Sequence, residues 1–187
     1  MRFLRGLLVA VLLATGLVTV VGSPAQAAIW VYYGRYELRN SYTGTCLDAH
    51  FNGGGLNGNR VGLWQCNGGI STQWDLYENI DAVDYRFQLV NARTPTDNSQ
   101  RRCLDYPANS GGANGFQYLL WDCVNSSGQK FRRDYNADLG AYIFAVMLGG
   151  PHNHIDAFAS GGLGNGSPVG NWAWTGHPLQ HWELWPV

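Results

Sequence analysis

Apolar and polar residues alternate over short runs along this chain, and glycine-rich turns separate the runs. β-Branched and aromatic residues concentrate in segments 28–42, 85–90 and 142–147, a pattern typical of β-strands. No stretch longer than a turn has apolar residues at helical spacing. The pattern therefore predicts an all-β domain made of short strands.

One short skeleton occurs three times in the chain. Each copy has an Asp two residues after its first position, an Asn-Gly pair, a Trp at offset 18 and an aromatic residue at offset 28. The positions are Cys46-Leu47-Asp48, Asn57-Gly58, Trp64, Cys66 and Trp74; Cys103-Leu104-Asp105, Asn114-Gly115, Trp121, Cys123 and Phe131; and His154-Ile155-Asp156, Asn165-Gly166, Trp172, Trp174 and Trp182. Because no copy needs a gap, we predict three internal repeats with cores near 46–76, 103–133 and 154–184.

Each repeat offers about four short strands when the strand before its core is included, which gives about twelve in all. Three copies of four strands favour a closed threefold β architecture, in which no sheet edge is left open. The segment from 91 to 102 is a polar loop that is longer than its counterparts, and it accounts for the unequal spacing of the copies.

The first 27 residues have the features of a secretory signal peptide. Arg2 and Arg5 precede an apolar run at 6–21, and Ala25-Gln26-Ala27 fits a cleavage site. The apolar run is shorter than the roughly 20 residues that span a bilayer, although a signal anchor is the alternative. We expect a secreted, extracellular domain of residues 28–187 that does not insert into a membrane after cleavage.

The remaining charges argue against a polyanionic partner. Beyond the predicted signal peptide the chain has 10 basic and 13 acidic residues, a net charge of −3, and Lys130 is the only lysine. A nucleic-acid-binding face would need clustered basic residues. We therefore expect no nucleic-acid partner.

The four cysteines form two pairs with the same spacing. Cys46 and Cys66 are 20 residues apart, as are Cys103 and Cys123, and the third copy replaces both members of its pair. A disulfide within each of the first two repeats explains this joint loss, and each would stabilise the fold by roughly 3 kcal/mol. A four-cysteine zinc site would need Cys-x-x-Cys pairs, which the sequence lacks.

The repeat cores resemble those of ricin-type β-trefoil lectins, including the carbohydrate-binding modules of secreted bacterial xylanases. The resemblance rests on Leu63-Trp64-Gln65-Cys66, Leu120-Trp121-Asp122-Cys123, Gln129-Lys130-Phe131 and Gln180-His181-Trp182. The last two are similar to the Gln-x-Trp signature of that family, from which Thr72-Gln73-Trp74 departs. The resemblance implies a β-trefoil fold and a non-catalytic, lectin-like protein that binds galactose- or xylose-type glycans or polysaccharides.

The same resemblance assigns roles to the repeated residues. It places Trp74, Phe131 and Trp182 in the core where three lobes meet. It gives sugar binding to Asp48 with Trp64, Asp105 with Trp121, and Asp156 with Trp172. Chemically, an indole packs on the C–H face of a pyranose while a carboxylate accepts bonds from its hydroxyls. The alternative is that these Asp residues cap turns or backbone and that these Trp residues pack internally.

Two further positions of the family pattern are missing from all three copies. The Asn that usually precedes the Gln is replaced by Ser71, Gly128 and Leu179, and the polar residue two before the Trp by Gly62, Leu119 and Gly170. These losses leave open a second class of function, which is a protein-recognition trefoil, inhibitor-like or toxin-like, with degenerate sugar sites that binds through its loops.

Other motifs carry less weight. Histidines 152, 154, 177 and 181 have metal-like spacing, but His154 occupies a Cys position and His181 the variable centre of Gln-x-Trp. Gly53-x-Gly55-x-x-Gly58 resembles a dinucleotide-binding loop without a helix to follow it. A catalytic Gly-x-Ser-x-Gly is absent from the sequence, and the repeated Asp residues belong to separate units. We expect no metal, no cofactor, no enzymatic activity and a monomer.

Overall fold

A computed structural model describes residues 28–49, 55–81, 86–93, 101–148, 153–158 and 162–187. The predicted signal peptide and residues 94–100 of the long loop lie outside the described residues. The described residues contain twelve strands: β1 (Trp30–Asn40), β2 (Cys46–Asp48), β3 (Gly62–Trp64), β4 (Gln73–Asn79), β5 (Arg86–Asn91), β6 (Arg102–Asp105), β7 (Leu119–Asp122), β8 (Phe131–Asn136), β9 (Ala141–Val146), β10 (Asn153–Ala157), β11 (Val169–Ala173) and β12 (Trp182–Pro186). Short 3-10 helices lie at Ala108–Ser110, Ser127–Gln129 and Pro178–Gln180.

Six of the strands close into a barrel. The antiparallel pairings run from β1 to β4, β5, β8, β9 and β12, and β12 returns to β1. Closure leaves these strands with partners on both sides along the paired part of their length, which removes exposed sheet edges. The prediction of a closed architecture is confirmed.

The other six strands form three hairpins at one end of the barrel. They pair β2 with β3, β6 with β7 and β10 with β11, so each lobe contains four strands: lobe 1 is β1–β4, lobe 2 is β5–β8 and lobe 3 is β9–β12. The register is the same in all three hairpins, because Cys46, Cys103 and His154 each face the Trp at offset 18. This arrangement is a β-trefoil, as the resemblance to ricin-type lectins implies.

The aromatic residues at offset 28 fill the core between the lobes. Trp74, Phe131 and Trp182 are fully buried among leucines from all three lobes. The indole nitrogens also have acceptors, since Trp74 Nε1 donates to the Leu47 carbonyl at 2.9 Å and Trp182 Nε1 donates to the Ile155 carbonyl at 3.0 Å. Burial of each ring contributes about 2–3 kcal/mol, and the bonds satisfy its polar edge.

The hairpins are clasped in two different ways. Disulfides join Cys46 to Cys66 and Cys103 to Cys123, which confirms the predicted pairing. In lobe 3 the Trp174 ring takes the place of the second cysteine and contacts two buried imidazoles. Its centroid is 5.0 Å from that of His154 and 5.7 Å from that of His181. Burial lowers the pKa of His181, so the packed ring is neutral over a wider pH range.

The three Asn-Gly pairs link each lobe to the next. Asn57 Oδ1 accepts from the Asp122 amide at 2.8 Å, Asn114 Oδ1 from the Ala173 amide at 2.8 Å, and Asn165 Oδ1 from the Gln65 amide at 2.7 Å. The glycines that follow have φ of 84°, 88° and 87°, a backbone region that favours glycine. Lobe 1 thus bonds to lobe 2, lobe 2 to lobe 3, and lobe 3 back to lobe 1.

No helix in the described part of the chain is long and apolar enough to span a membrane.

Candidate functional site

The three predicted stacking tryptophans lie on the outer face of the hairpins. Trp64 is 40% exposed, Trp121 45% and Trp172 40%. Side chains alternate across a strand, so the residue before each Trp (Leu63, for example) is buried while the indole faces outward. An exposed indole at the same place in each lobe gives three flat apolar surfaces.

The hairpin register places a carboxylate beside each indole. Asp48 faces Gly62 across the hairpin, and Trp64 stands two residues further along the same strand. Lobes 2 and 3 repeat this arrangement. Such diagonal neighbours share one face of a sheet at about 7–8 Å, within reach of a long side chain. The offsets of Asp and Trp in the sequence therefore bring the two residues to one face of the hairpin in each lobe.

In lobe 2 this pair opens into a cleft of about 650 Å³. The cleft is lined by Asp105, Pro107, Asn109, Phe116, Leu119, Trp121, Val124 and Ser126. Phe116 and Trp121 are both exposed and supply apolar walls. Burial raises the pKa of Asp105, and a hydrogen bond from Gln129 partly offsets this effect. The carboxylate is half-buried and has one amide donor, Gln129 Nε2.

Lobe 3 holds a second cleft of similar size, about 640 Å³. Its lining is Asp156, Phe158, Trp172, Thr175, Gly176, His177, Pro178 and Leu179. Phe158 packs edge-to-face on Trp172 with centroids 6.0 Å apart, which fixes the indole plane. Burial raises the pKa of Asp156, while the hydrogen bond from Gln180 and the charge of His177 act in the opposite direction.

The glutamine of the Gln-x-Trp signature holds each of these two clefts together. Gln129 Oε1 accepts from the Val124 amide at 2.8 Å, and its Nε2 donates to the Asp122 carbonyl at 2.7 Å. Gln180 repeats both bonds with Thr175 and Ala173, at 2.9 Å each. Each glutamine thus joins the carboxylate to the loop that follows the Trp. Buried hydrogen bonds of this kind hold the acceptor in one orientation.

Lobe 1 is built differently around the same Asp and Trp. Thr72 takes the place of the glutamine and donates to Glu37, and Glu37 Oε1 also accepts from the Gly68 amide at 3.0 Å. Asp48 is almost completely buried. Residues 50–54, which follow its strand, lie outside the described residues, as does Gly53 of the glycine-rich motif.

One cluster of potential metal ligands occurs in the described residues. Its members are Glu37, Cys46 and Cys66, which lie close enough together to suggest a metal site. Both sulfurs are joined in a disulfide, so neither is available as a thiolate ligand. Of the histidines with metal-like spacing, His154 and His181 both contact the Trp174 ring; His152 lies outside the described residues.

The clefts also contain residues that the repeat pattern did not single out. In lobe 2 these include Phe116 and Ser126, and in lobe 3 Phe158 and His177. They occupy loop positions whose residue type differs from copy to copy, so the internal repeat gives no signal for them. Their adjacency to the Trp is set by the hairpin loops.

The closed barrel capped by three hairpins defines a β-trefoil protein with a carboxylate–indole pair in each lobe. Residues 26–121 match the ricin-type beta-trefoil lectin domain-like family, about half of the chain, and the protein belongs to that family. No curated protein sequence matches.

Solved structures show the same fold. A designed threefold-symmetric protein, ThreeFoil, has a TM-score of 0.69 and 22% identity over 83% of this chain and 100% of its own. An exo-beta-1,3-galactanase from Clostridium thermocellum has a TM-score of 0.68 and 24% identity, with 82% of this chain covering 30% of the galactanase. The Macrolepiota procera ricin B-like lectin in complex with lactose has a TM-score of 0.57 and 19% identity, over 82% of this chain and 95% of the lectin.

Proposed function

We propose that the protein is a secreted, non-catalytic carbohydrate-binding protein that recognises galactose- or xylose-type glycans or polysaccharides. The observation that supports this most directly is the pairing of an exposed indole with a carboxylate in the clefts of lobes 2 and 3, half-buried at Asp105 and buried at Asp156. Membership of a lectin-like family and the lactose-binding neighbour agree with it at the level of carbohydrate binding.

The chemistry of each cleft suits a pyranose. Trp121 and Phe116 in lobe 2, and Trp172 and Phe158 in lobe 3, offer apolar surfaces for the C–H face of a ring. The carboxylate of Asp105 or Asp156 accepts hydrogen bonds from hydroxyls at the rim, and charge-assisted bonds of this type are the stronger ones.

Several shallow sites on one rigid body favour a polymeric ligand. One pyranose covers little surface, so a single cleft binds weakly, whereas a second cleft on the same chain binds at high effective concentration. The lobes are tied into one barrel, which fixes the spacing of the clefts. We expect the protein to bind a polysaccharide much more tightly than a free monosaccharide.

The test is retention of the oxidised protein on insoluble xylan, cellulose, chitin and immobilised galactose, with elution by free sugar. Replacing Trp64, Trp121 and Trp172 together with Ala is expected to abolish retention. Trp185→Ala is the matched control, because this indole is 44% exposed but lies on β12 near Arg39, away from both clefts. Circular dichroism verifies that each variant is folded.

Two results would overturn the proposal. One is retention of the triple variant at the level of wild type. The other is failure of the folded, oxidised wild type to bind any of the four matrices, which would favour protein recognition through the loops instead. Release of reducing sugar that disappears with Asp105→Asn or Asp156→Asn would contradict the non-catalytic part of the proposal.

A further inference from the structure

His177 distinguishes the cleft of lobe 3 from the other lobes. It lines that cleft together with Asp156 and Trp172. The same position of the repeat is Gly69 in lobe 1 and Ser126 in lobe 2. At this offset an imidazole therefore occurs in one copy of the repeat, and the internal repeat does not account for it.

The orientation of the His177 ring is set by the short 3-10 helix that follows it. His177 is the N-cap of Pro178–Gln180, and its Nδ1 accepts a hydrogen bond from the Leu179 amide at 3.2 Å. Because Nδ1 accepts, the neutral ring carries its proton on Nε2, and that N–H is a donor on the opposite side of the ring. Asp156, in the same cleft, accepts hydrogen bonds when it is ionised.

On the basis of the proposed function, we infer that His177 is a ligand-contacting residue that supplies the cleft of lobe 3 with a hydrogen-bond donor. Its Nε2–H donates to a sugar oxygen while Asp156 accepts from a neighbouring hydroxyl. The Asn that commonly precedes the glutamine in this family is replaced here by Leu179, whose side chain has no donor. His177 supplies a donor from two residues earlier in the chain.

The Tyr42 ring also contacts His177, with centroids 5.4 Å apart.

The experiment isolates lobe 3 in the full chain. A parent variant, Trp64→Ala with Trp121→Ala, is assayed for retention on immobilised galactose and on insoluble xylan. In this parent, His177→Ala is expected to reduce retention about three- to tenfold, the value of one hydrogen bond.

Two further variants in the parent separate ligand contact from helix capping. Asn caps a helix well but its amide is too short to reach the position of Nε2, whereas the amide of Gln reaches that position and caps less well. We expect His177→Gln to retain binding and His177→Asn to lose it.

Normal binding by His177→Asn with weak binding by His177→Gln would overturn the inference, because His177 would then only cap the helix. So would unchanged retention in His177→Ala. If wild type binds and the parent does not, lobe 3 alone does not support retention and the inference fails alone. If wild type binds neither matrix, the proposed function fails as well.

Discussion

Lobes 2 and 3 use the same hairpin register but hold it together by different chemistry. In lobe 2 a disulfide joins Cys103 to Cys123, while in lobe 3 the Trp174 ring packs against His154 and His181. A disulfide acts largely by restricting the unfolded chain, whereas ring packing acts in the folded state. Both lobes nevertheless present a cleft of similar size with an exposed Trp. The cleft therefore depends on the hairpin and its glutamine, and either clasp supports it.

The largest effect should come from the core, where the two lobes are alike. Trp182→Ala and Phe131→Ala should each lower the free energy of unfolding by about 3–5 kcal/mol, since each removes a fully buried ring. Urea unfolding followed by tryptophan fluorescence measures both. A loss below about 1 kcal/mol in one lobe would show that its core can collapse around the gap.

The clasp of lobe 2 should be the next most costly to remove. Cys103→Ala with Cys123→Ala opens a loop whose ends are 20 residues apart, so the free energy of unfolding should fall by about 3 kcal/mol. Trp174→Ala in lobe 3 should cost less, because that ring is 41% exposed. Urea midpoints under oxidising conditions compare the two, and equal losses would contradict the distinction between the clasps.

Acidification should affect the clasp of lobe 3. Burial lowers the pKa of His181 below its ordinary value of 6.5, so the unfolded chain binds a proton more readily than the folded one. Stability contributed by the neutral ring is present above pH 6.5 and is lost as pH falls through the folded pKa. His181→Gln should make the urea midpoint less sensitive to pH in this window. The equivalent residue in lobe 2, Lys130, does not titrate there.

The smallest expected effect is an unchanged or slightly raised stability when the Asp of a cleft is replaced. Burial raises the pKa of Asp105 and Asp156. Keeping either carboxylate ionised in the folded lobe therefore lowers the free energy of unfolding at neutral pH. Asp105→Asn and Asp156→Asn should therefore leave stability unchanged or slightly higher at neutral pH while sugar retention falls. Thermal unfolding and retention on immobilised galactose test the pair together. A clear loss of stability in either variant would assign that Asp a structural role instead.

The sequence predicts the fold well because the repeat is local and redundant. The offsets of Asp, Trp and the core aromatic are read directly from the chain, and strand alternation then fixes which side chains face outward. The disulfides follow from the joint loss of both cysteines in the third copy. These features do not depend on how the lobes meet.

Features that arise between elements could not be predicted in the same way. His154 and His181 are far apart in sequence and reach the Trp174 ring only when β9, β10 and β12 pair. The Asn-Gly pairs predict turns, but their bonds to the next lobe require barrel closure. His177 has no counterpart in the other copies, so its place in a cleft comes from the packing of one short 3-10 helix.

The pairing of β1 with β12 has a consequence for the linear order of the lobes. These strands are neighbours in the barrel, and the Val187 amide donates to the Arg35 carbonyl at 3.2 Å. Barrel strands pair at all three junctions between lobes. The order of the lobes along the chain is therefore not needed to specify which lobes are neighbours. A circularly permuted chain, joined across residues 28 and 187 and opened in the turn at 137–140, would recover the same two clefts with the lobes in a new order.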